Sequence, residues 1–418
     1  MFALIDCDNF FASCESAFDP KIKKKPLVVL SNNNSCVIAR SNEAKKLGIP
    51  MGAPLFKFQD IVKNHKVITK AANFALYGDL SQRIFSILND SPYDLEVYSI
   101  DEAFLFIQEP FTEKDLNILK TLRKKIYNWT SIPVSIGIGK TKTLAKLACE
   151  QAKDSSDKII YISSEEQIEK LLKKTPIEEI WGIGRKTAKK LQAQNIFSAY
   201  SFIKEDPIKI KKILGISGVK TQLELRETPS FLKDTDSPSR KSILSSKSFE
   251  DTHSSFDFLK KELSKHINLA TKKLRKMNQK ASFFSIFITT SRFDQNKYFN
   301  QAAYTLPVAT DYPPTLISIA EKLLETVYKP GYRYKKCGIL LADFSDADTE
   351  TLDFFSSPKN SAKEKKAIKA FDAINKKYHK NSIFFLAEGK SEKNSKLKKQ
   401  RNSFENLLKV SSTLKRDS

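Results

Sequence analysis

The chain has 418 residues and a strong basic excess, 71 Lys and Arg against 48 Asp and Glu, for a formal charge of +23. Hydrophobic residues at 40% and aromatics at 11% exclude a disordered chain and suffice for about two to four globular domains. Charge of this sign and size points to a polyanionic partner. Five scattered cysteines without a CxxC pair, and four scattered histidines, argue against a disulfide framework and a zinc site. The first residues lack a basic n-region and a long apolar run, so a cytoplasmic protein with no membrane partner is expected.

In chain order, residues 2–6 form a short apolar run of buried-strand type that ends on Asp6. "KPLVVLS" (25–31) reads as a second strand after a loop marked by Pro20 and lysines. A short helix over 42–47 is stopped by Gly48. The stretch 21–70 is small, lysine-rich and loop-rich, and reads as an insertion between larger elements. A helix is expected over 77–88. "LEVYSIDEAFLFI" holds two apolar runs with Asp101 and Glu102 at the junction, which predicts a hairpin. A helix (114–129), the strand "PVSIGIG", a helix (141–152) and the strand "KIIYIS" follow. The order β-α-β-β-α-β is that of a ferredoxin-like sheet, with the first strand and the hairpin strands side by side in its middle.

After Glu165 the pattern changes to short basic helices, among them "IEEIWGIGRKTAKKLQAQNI". The stretch 227–242 has the Pro, Ser and Asp content of a domain linker. A long basic helix (256–277), the strand "ASFFSIFITT" and further strands to Phe344 make a third region. The tail, 356–418, carries 17 Lys and Arg against 6 Asp and Glu. Its stretch "GKSEKNSKLKKQRNSF" has the composition of a segment that needs a partner to order.

Three carboxylates at one sheet end would repel one another and call for a cation. Asp6, Asp101 and Glu102 are so placed, and hard divalent ions with oxygen ligands are the natural answer, a pair of Mg²⁺ being usual in phosphoryl transfer. "WGIGRKTAKKL" joins two predicted helices through a Gly-x-Gly turn. Gly182 and Gly184 let the backbone approach a phosphate, and Arg185, Lys186, Lys189 and Lys190 surround the helix start with charge. This is a helix-hairpin-helix pattern, a grip on a nucleic-acid backbone without sequence readout. "LGISGVK" reads as a weaker second copy. "GIGKTKT" is not a P-loop, because Val134 stands where that motif needs glycine.

With "FALIDCDNFFASCES", "CVIARSNEAKKLGIPMG", "YSIDEAF", "IGIGKTKTLAKLA" and "WGIGRKTAKKL", the chain resembles the Y-family DNA polymerases, and within them the UmuC-type catalytic subunit of bacterial DNA polymerase V. The resemblance covers about residues 1–345. It implies an α+β right hand: a ferredoxin-like palm (1–20 and 71–165), small fingers (21–70), a helix-hairpin-helix thumb (166–235), an α/β little finger (241–345) and a C-terminal segment with a basic UmuC-type tail (346–418). It also implies error-prone, template-directed DNA synthesis past damaged bases, in DNA repair and the SOS response. Residue by residue, it assigns two Mg²⁺ to Asp6, Asp101, Glu102 and the Cys7 carbonyl. It places Asn9, Phe10, Phe11, Arg40, Lys45 and Lys153 around the incoming nucleotide. Phe11, where the family more often has Tyr, takes the steric-gate position that excludes a ribose 2′-hydroxyl. Asn42 stands where many relatives have a phosphate-binding tyrosine. "TLDFF", with Thr351, Leu352, Phe354 and Phe355, resembles a sliding-clamp peptide in which Thr replaces Gln. Damaged primer-template DNA, deoxynucleotides, a UmuD-type subunit, RecA and the clamp are the implied partners. A palm-fold nucleotide cyclase and a DNA-binding scaffold with a decayed polymerase site are the alternatives.

Overall fold

The computed structural model describes residues 1–31, 35–231, 240–347, 358–378 and 382–389. These separate into two compact units, 1–231 and 240–389. The clamp-like residues Thr351, Leu352, Phe354 and Phe355 lie outside the described residues. Among the described residues no helix is long and apolar enough to cross a membrane.

The first unit is built on β1 (Phe2–Cys7), whose Ala3 and Leu4 are fully buried. After α1 (Phe10–Phe18) the chain makes β2 (Leu27–Leu30), β3 (Val37–Arg40), α2 (Asn42–Lys46), α3 (Gln59–Asn64) and β4 (Ile68–Ala71). It returns through α4 (Phe74–Asn89), β5 (Asp94–Val97), β6 (Glu102–Phe106), α5 (Glu113–Thr130), β7 (Val134–Gly139), α6 (Lys142–Ala152) and β8 (Ile159–Tyr161). The main sheet has the order β5-β6-β1-β7-β8. Its first four strands are the ferredoxin-like set, and β8 adds a fifth, parallel to β7. One expectation is corrected: β6 flanks β1, but β5 lies at the edge. Its Asp94 and Val97 are exposed, whereas β6 buries Ala103, Phe104 and Leu105. α4 starts a turn before the expected 77 because Asn73 caps it, accepting a hydrogen bond from the Leu76 amide.

The glycines of "GIGK" serve packing. A Cβ on Gly137 would lie 2.0 Å from the Cys149 nitrogen and 2.2 Å from the Ala145 carbonyl oxygen, so only glycine lets α6 lie this close to β7.

The insertion between β1 and α4 has a sheet of its own, ordered β3-β2-β4, and a small core of Val28, Leu30, Val37, Ala44, Ile49 and Val67. Only β2 is visible as a strand in the sequence. β3 and β4 are four residues each, too short for a periodic signal.

A helical cluster follows: α7 (Glu165–Lys174), α8 (Arg185–Gln192), α9 (Ala199–Lys204) and α10 (Pro207–Leu225). Leu171, Ile177, Leu191 and Phe202 form its core. The helix expected before the Gly-x-Gly turn is a single 3₁₀ turn, Ile177–Glu179. Pro176 fixes its start and Gly182, at φ 86°, its exit, leaving no room for an α-helix. At Gly215, φ 71° and ψ −165°, the chain turns inside α10, within the "LGISGVK" stretch.

The second unit is an antiparallel sheet ordered β11-β10-β12-β9. It is made by β9 (Ser242–His253), α11 (Phe256–Lys276), β10 (Gln279–Thr290), β11 (Phe299–Thr310), α12 (Pro313–Val327) and β12 (Tyr334–Asp346). Leu263, Ile267, Phe284, Ile286, Leu324 and Ile339 join the helices to the sheet. α13 (Pro358–Lys377) belongs to this unit, with Asp372 receiving two hydrogen bonds from the Arg275 guanidinium at 2.7 and 3.1 Å.

Candidate active site

Sheet register brings the acids together. Asp6, near the end of the central strand, is the Cα partner of Glu102 on one side and of Ser135 on the other. Asp101 stands at the hairpin turn, where its carbonyl accepts from the Cys7 amide at 3.0 Å and its Oδ1 from the Ser99 hydroxyl at 2.6 Å. Burial pushes the Asp6 carboxyl up to about 7, against the pull of Lys153 and with a further rise from Glu102 and Asp101. Asp8, two residues on, points elsewhere, to the Ser135 hydroxyl at 2.8 Å and the Lys158 ammonium at 3.5 Å.

The countercharges come from α6. Lys153 Nζ lies 3.2 Å from Asp6 Oδ2 and 2.7 Å from Glu150 Oε2. Burial works against its charge, but the Asp6 and Glu150 carboxylates outweigh it and raise its pKa. Lys146 pairs with Glu102 and lies 5.2 Å from the Tyr98 ring centroid and 5.8 Å from that of Trp181. Among the described residues no three acids, cysteines or histidines converge as a ready metal cage, Asp6 and Glu102 being drawn to these lysines instead. The donor chemistry nonetheless fits a hard divalent cation. The candidate donor atoms are carboxylate oxygens at one sheet end, and the burial and acidic neighbours that push Asp6 up to about 7 are what a bound cation would offset.

Of the residues expected on the nucleotide side, Asn9, Phe10 and Phe11 lie at the start of α1. Asn9 is left-handed, φ 52°, and donates to Asn42 Oδ1 at 2.8 Å rather than capping the helix, so the first amides of α1 carry no side-chain cap. Phe10 is buried in the core. Phe11 stacks on Tyr77 at 4.4 Å and 14° and meets Phe74 edge-on. Tyr77 is pinned in turn by donating to the buried Glu15 at 2.7 Å. Burial lowers the Lys45 pKa, with Arg40 and Lys153 near enough to lower it further. Arg40 donates to the Ile49 carbonyl at 2.7 Å, which braces the small sheet, and its Nε is buried without a partner.

At the Gly-x-Gly turn Arg185, Lys186, Lys189 and Lys190 are all exposed, while Ile183, Ala188 and Leu191 anchor the turn below. Trp181 donates to the Tyr98 hydroxyl at 3.0 Å, tying the turn to the acid-bearing hairpin.

The impB/mucB/samB family model matches residues 5–150, its HHH motif 165–196 and its C-terminal domain 240–354. Protein UmuC of Salmonella typhimurium strain LT2 is 34% identical over 398 residues, 94% of each chain. The chain belongs to the UmuC-type Y-family DNA polymerases. DNA polymerase IV of Picrophilus torridus is 36% identical over 236 residues, 55% of this chain and 67% of its own length. A solved Y-family DNA polymerase chimera, Dbh-Dpo4(243-245)-Dbh, shares the fold with a TM-score of 0.68 and 24% identity, over 82% of this chain and 99% of its own.

Two features next to these acids escape a reading of motifs. Lys142, Lys146 and Lys153 stand at i, i+4 and i+11, a single face of α6, and that spacing could have flagged Lys146. Lys142 is buried against Glu96, with Nζ to carboxylate distances of 2.7 and 2.8 Å. Glu224 is wholly buried on α10 and holds the start of α6. No local signal marks it.

Proposed function

We propose that this chain extends a DNA primer on a damaged template by two-metal-ion nucleotidyl transfer, as part of DNA repair and the SOS response. The observation that carries the reading is the meeting of Asp6, Asp101 and Glu102 at one sheet end, beside a cationic Gly-x-Gly turn tied to the same hairpin. In this reading the main sheet is the palm, the small three-stranded sheet the fingers, α7–α10 the thumb and the second unit the little finger.

Asp6, Asp101, Glu102 and the Cys7 carbonyl would hold two Mg²⁺, which supply positive charge to the primer 3′-oxygen and to the phosphates. The 3′-oxygen bonds to the α-phosphorus, the α–β bridging P–O bond breaks, pyrophosphate leaves and the hydroxyl proton passes to solvent. The uncapped amides at Asn9–Phe11 receive the triphosphate, with Lys45 and Lys153 adding charge. Lys153 leaves Asp6 for the nucleotide in this scheme. Phe11 walls off the sugar 2′ position, held rigid by its stack on Tyr77. Arg40 lies on the fingers side of the base pair. Gly182, Gly184, Arg185, Lys186 and Lys189 hold backbone phosphates. A UmuD-type subunit, RecA and the sliding clamp are proposed as partners on the family relationship.

Primer extension with an Asp101→Ala variant tests the site. Extension with Mg²⁺ is expected to vanish while affinity for primer-template DNA stays within about twofold, since Asp101 is not part of the cationic grip. Persisting extension would refute the assignment.

A further inference from the structure

α1, the loop after it, the start of α2 and the end of α5 line a cavity of about 400 Å³, which shares Asn9 with the residues expected around the nucleotide. Its wall carries four lysines, Lys23, Lys24, Lys25 and Lys158, against two acids, Asp8 and Glu43. Asp8 is already met by Lys158 and by the Ser135 hydroxyl. Among the described residues Lys23 meets only Tyr127, its ammonium 3.4 Å from the hydroxyl and 5.9 Å from the ring centroid. Among the described residues the Lys24 and Lys25 ammonium groups have no hydrogen-bond or ion-pair partner. Like charges gathered in one concavity raise its potential and attract a compact anion. The hydrogen-bonded pair Asn9 and Asn42 stands on the same wall. Asn9 is three residues beyond Asp6 in the chain, and none of Asp6, Asp101 and Glu102 lines the cavity itself.

We propose that this cavity is a diphosphate subsite that takes the pyrophosphate released at each nucleotide addition. The inference rests on the polymerase reading for the origin of the ligand. It does not need it for the binding itself. The same chemistry is offered by the β- and γ-phosphates of an incoming nucleotide, and the two sources separate by experiment.

The test uses the full-length chain and the double variant Lys24→Ala/Lys25→Ala, with Lys24→Glu/Lys25→Glu as the charge-reversed form. Both side chains are exposed, so folding is not at stake. Inhibition of primer extension by added pyrophosphate is measured beside the KM for the deoxynucleotide. Loss of two charge-assisted contacts is expected to raise the pyrophosphate inhibition constant about tenfold or more, and charge reversal further. A KM that moves less than twofold assigns the cavity to the released product. A KM that rises in step assigns the diphosphate subsite to the bound nucleotide. An unchanged inhibition constant with an unchanged KM overturns the proposal. Equilibrium dialysis of radiolabelled pyrophosphate, run on the same proteins, keeps the two hypotheses apart. Absence of extension in the wild type sinks the polymerase reading, whereas equal pyrophosphate binding by wild type and variants sinks the subsite.

Discussion

Replacing Glu224 by alanine tests how the helical cluster is fastened to the sheet that carries the acids. The carboxylate accepts from the Thr143 amide at 3.1 Å, the Thr143 hydroxyl at 3.3 Å, the Phe231 amide at 2.9 Å and the Ser230 amide. Thr143 is fully buried and its amide is one of the orphan donors in the first turn of α6. Thr141 caps only the Leu144 amide, so Glu224 supplies the other cap. Truncation leaves the buried Thr143 donors unpaired, while Ser230 and Phe231, half-buried, recover part of their bonding from water. At about 1–3 kcal/mol for each stranded buried donor, the loss comes to roughly 3–4 kcal/mol. A unit of this size shifts its Tm by about 2–4 °C per kcal/mol, so the fall should be near 10 °C. Calorimetry of the full chain reads this directly, with the transition of the second unit as an internal control. A fall worth less than about 1 kcal/mol, or an equal fall in both transitions, would refute the reasoning.

Phe11→Ala removes the ring that stacks on Tyr77 and should raise ribonucleotide incorporation by about tenfold or more; unchanged sugar discrimination in single-nucleotide extension would remove the gate role. Gly137→Ala sets a methyl group against the backbone of α6 at 2.0 Å and should leave no folded main sheet, checked by near-UV circular dichroism; a native spectrum would show that α6 can shift. Acid should weaken the second unit through His266, whose imidazole burial depresses to about 4, Glu262 opposing and Lys247 and Lys265 assisting. Its folded pKa lies below the unfolded value near 6.5, so the stability it contributes is complete above about pH 6.5 and is lost as pH falls toward 4, to a limit of roughly 3 kcal/mol. His266→Leu should flatten that pH dependence in denaturant melts, and an unchanged slope would exclude this histidine as its source.

The acid site was legible because it is local in sequence. An apolar strand that ends on Asp6 and a hairpin that turns at Asp101 and Glu102 each show themselves within a dozen residues, and antiparallel register does the rest. The Gly-x-Gly turn was legible for the same reason, although the 3₁₀ turn before it was not. Propensity alone does not distinguish one tight turn from a short helix. What stayed hidden depends on partners far along the chain. Glu224 and Thr143 are 81 residues apart, and Lys142 and Glu96 are 46 apart. A buried glutamate reads like any surface acid until the fold supplies its donors. β3 and β4 stayed hidden for want of length.

α6 is where these separate features act on one another. Its first turn is capped by Glu224 from α10, its middle is pressed onto β7 by the absence of side chains at Gly137 and Gly139, and Lys153 at its end meets Asp6. Lys146 stands between, against Glu102 and the Tyr98–Trp181 pair that reaches the cationic turn. The helix has no slack toward the sheet, since the glycine contacts are already backbone against backbone. Contacts from α10 thus lead along α6 to Lys146 and Lys153. The carboxylates that meet those lysines are the ones proposed to hold Mg²⁺. Thus the seat of α10 and the charge balance at Asp6 and Glu102 are joined through one short helix.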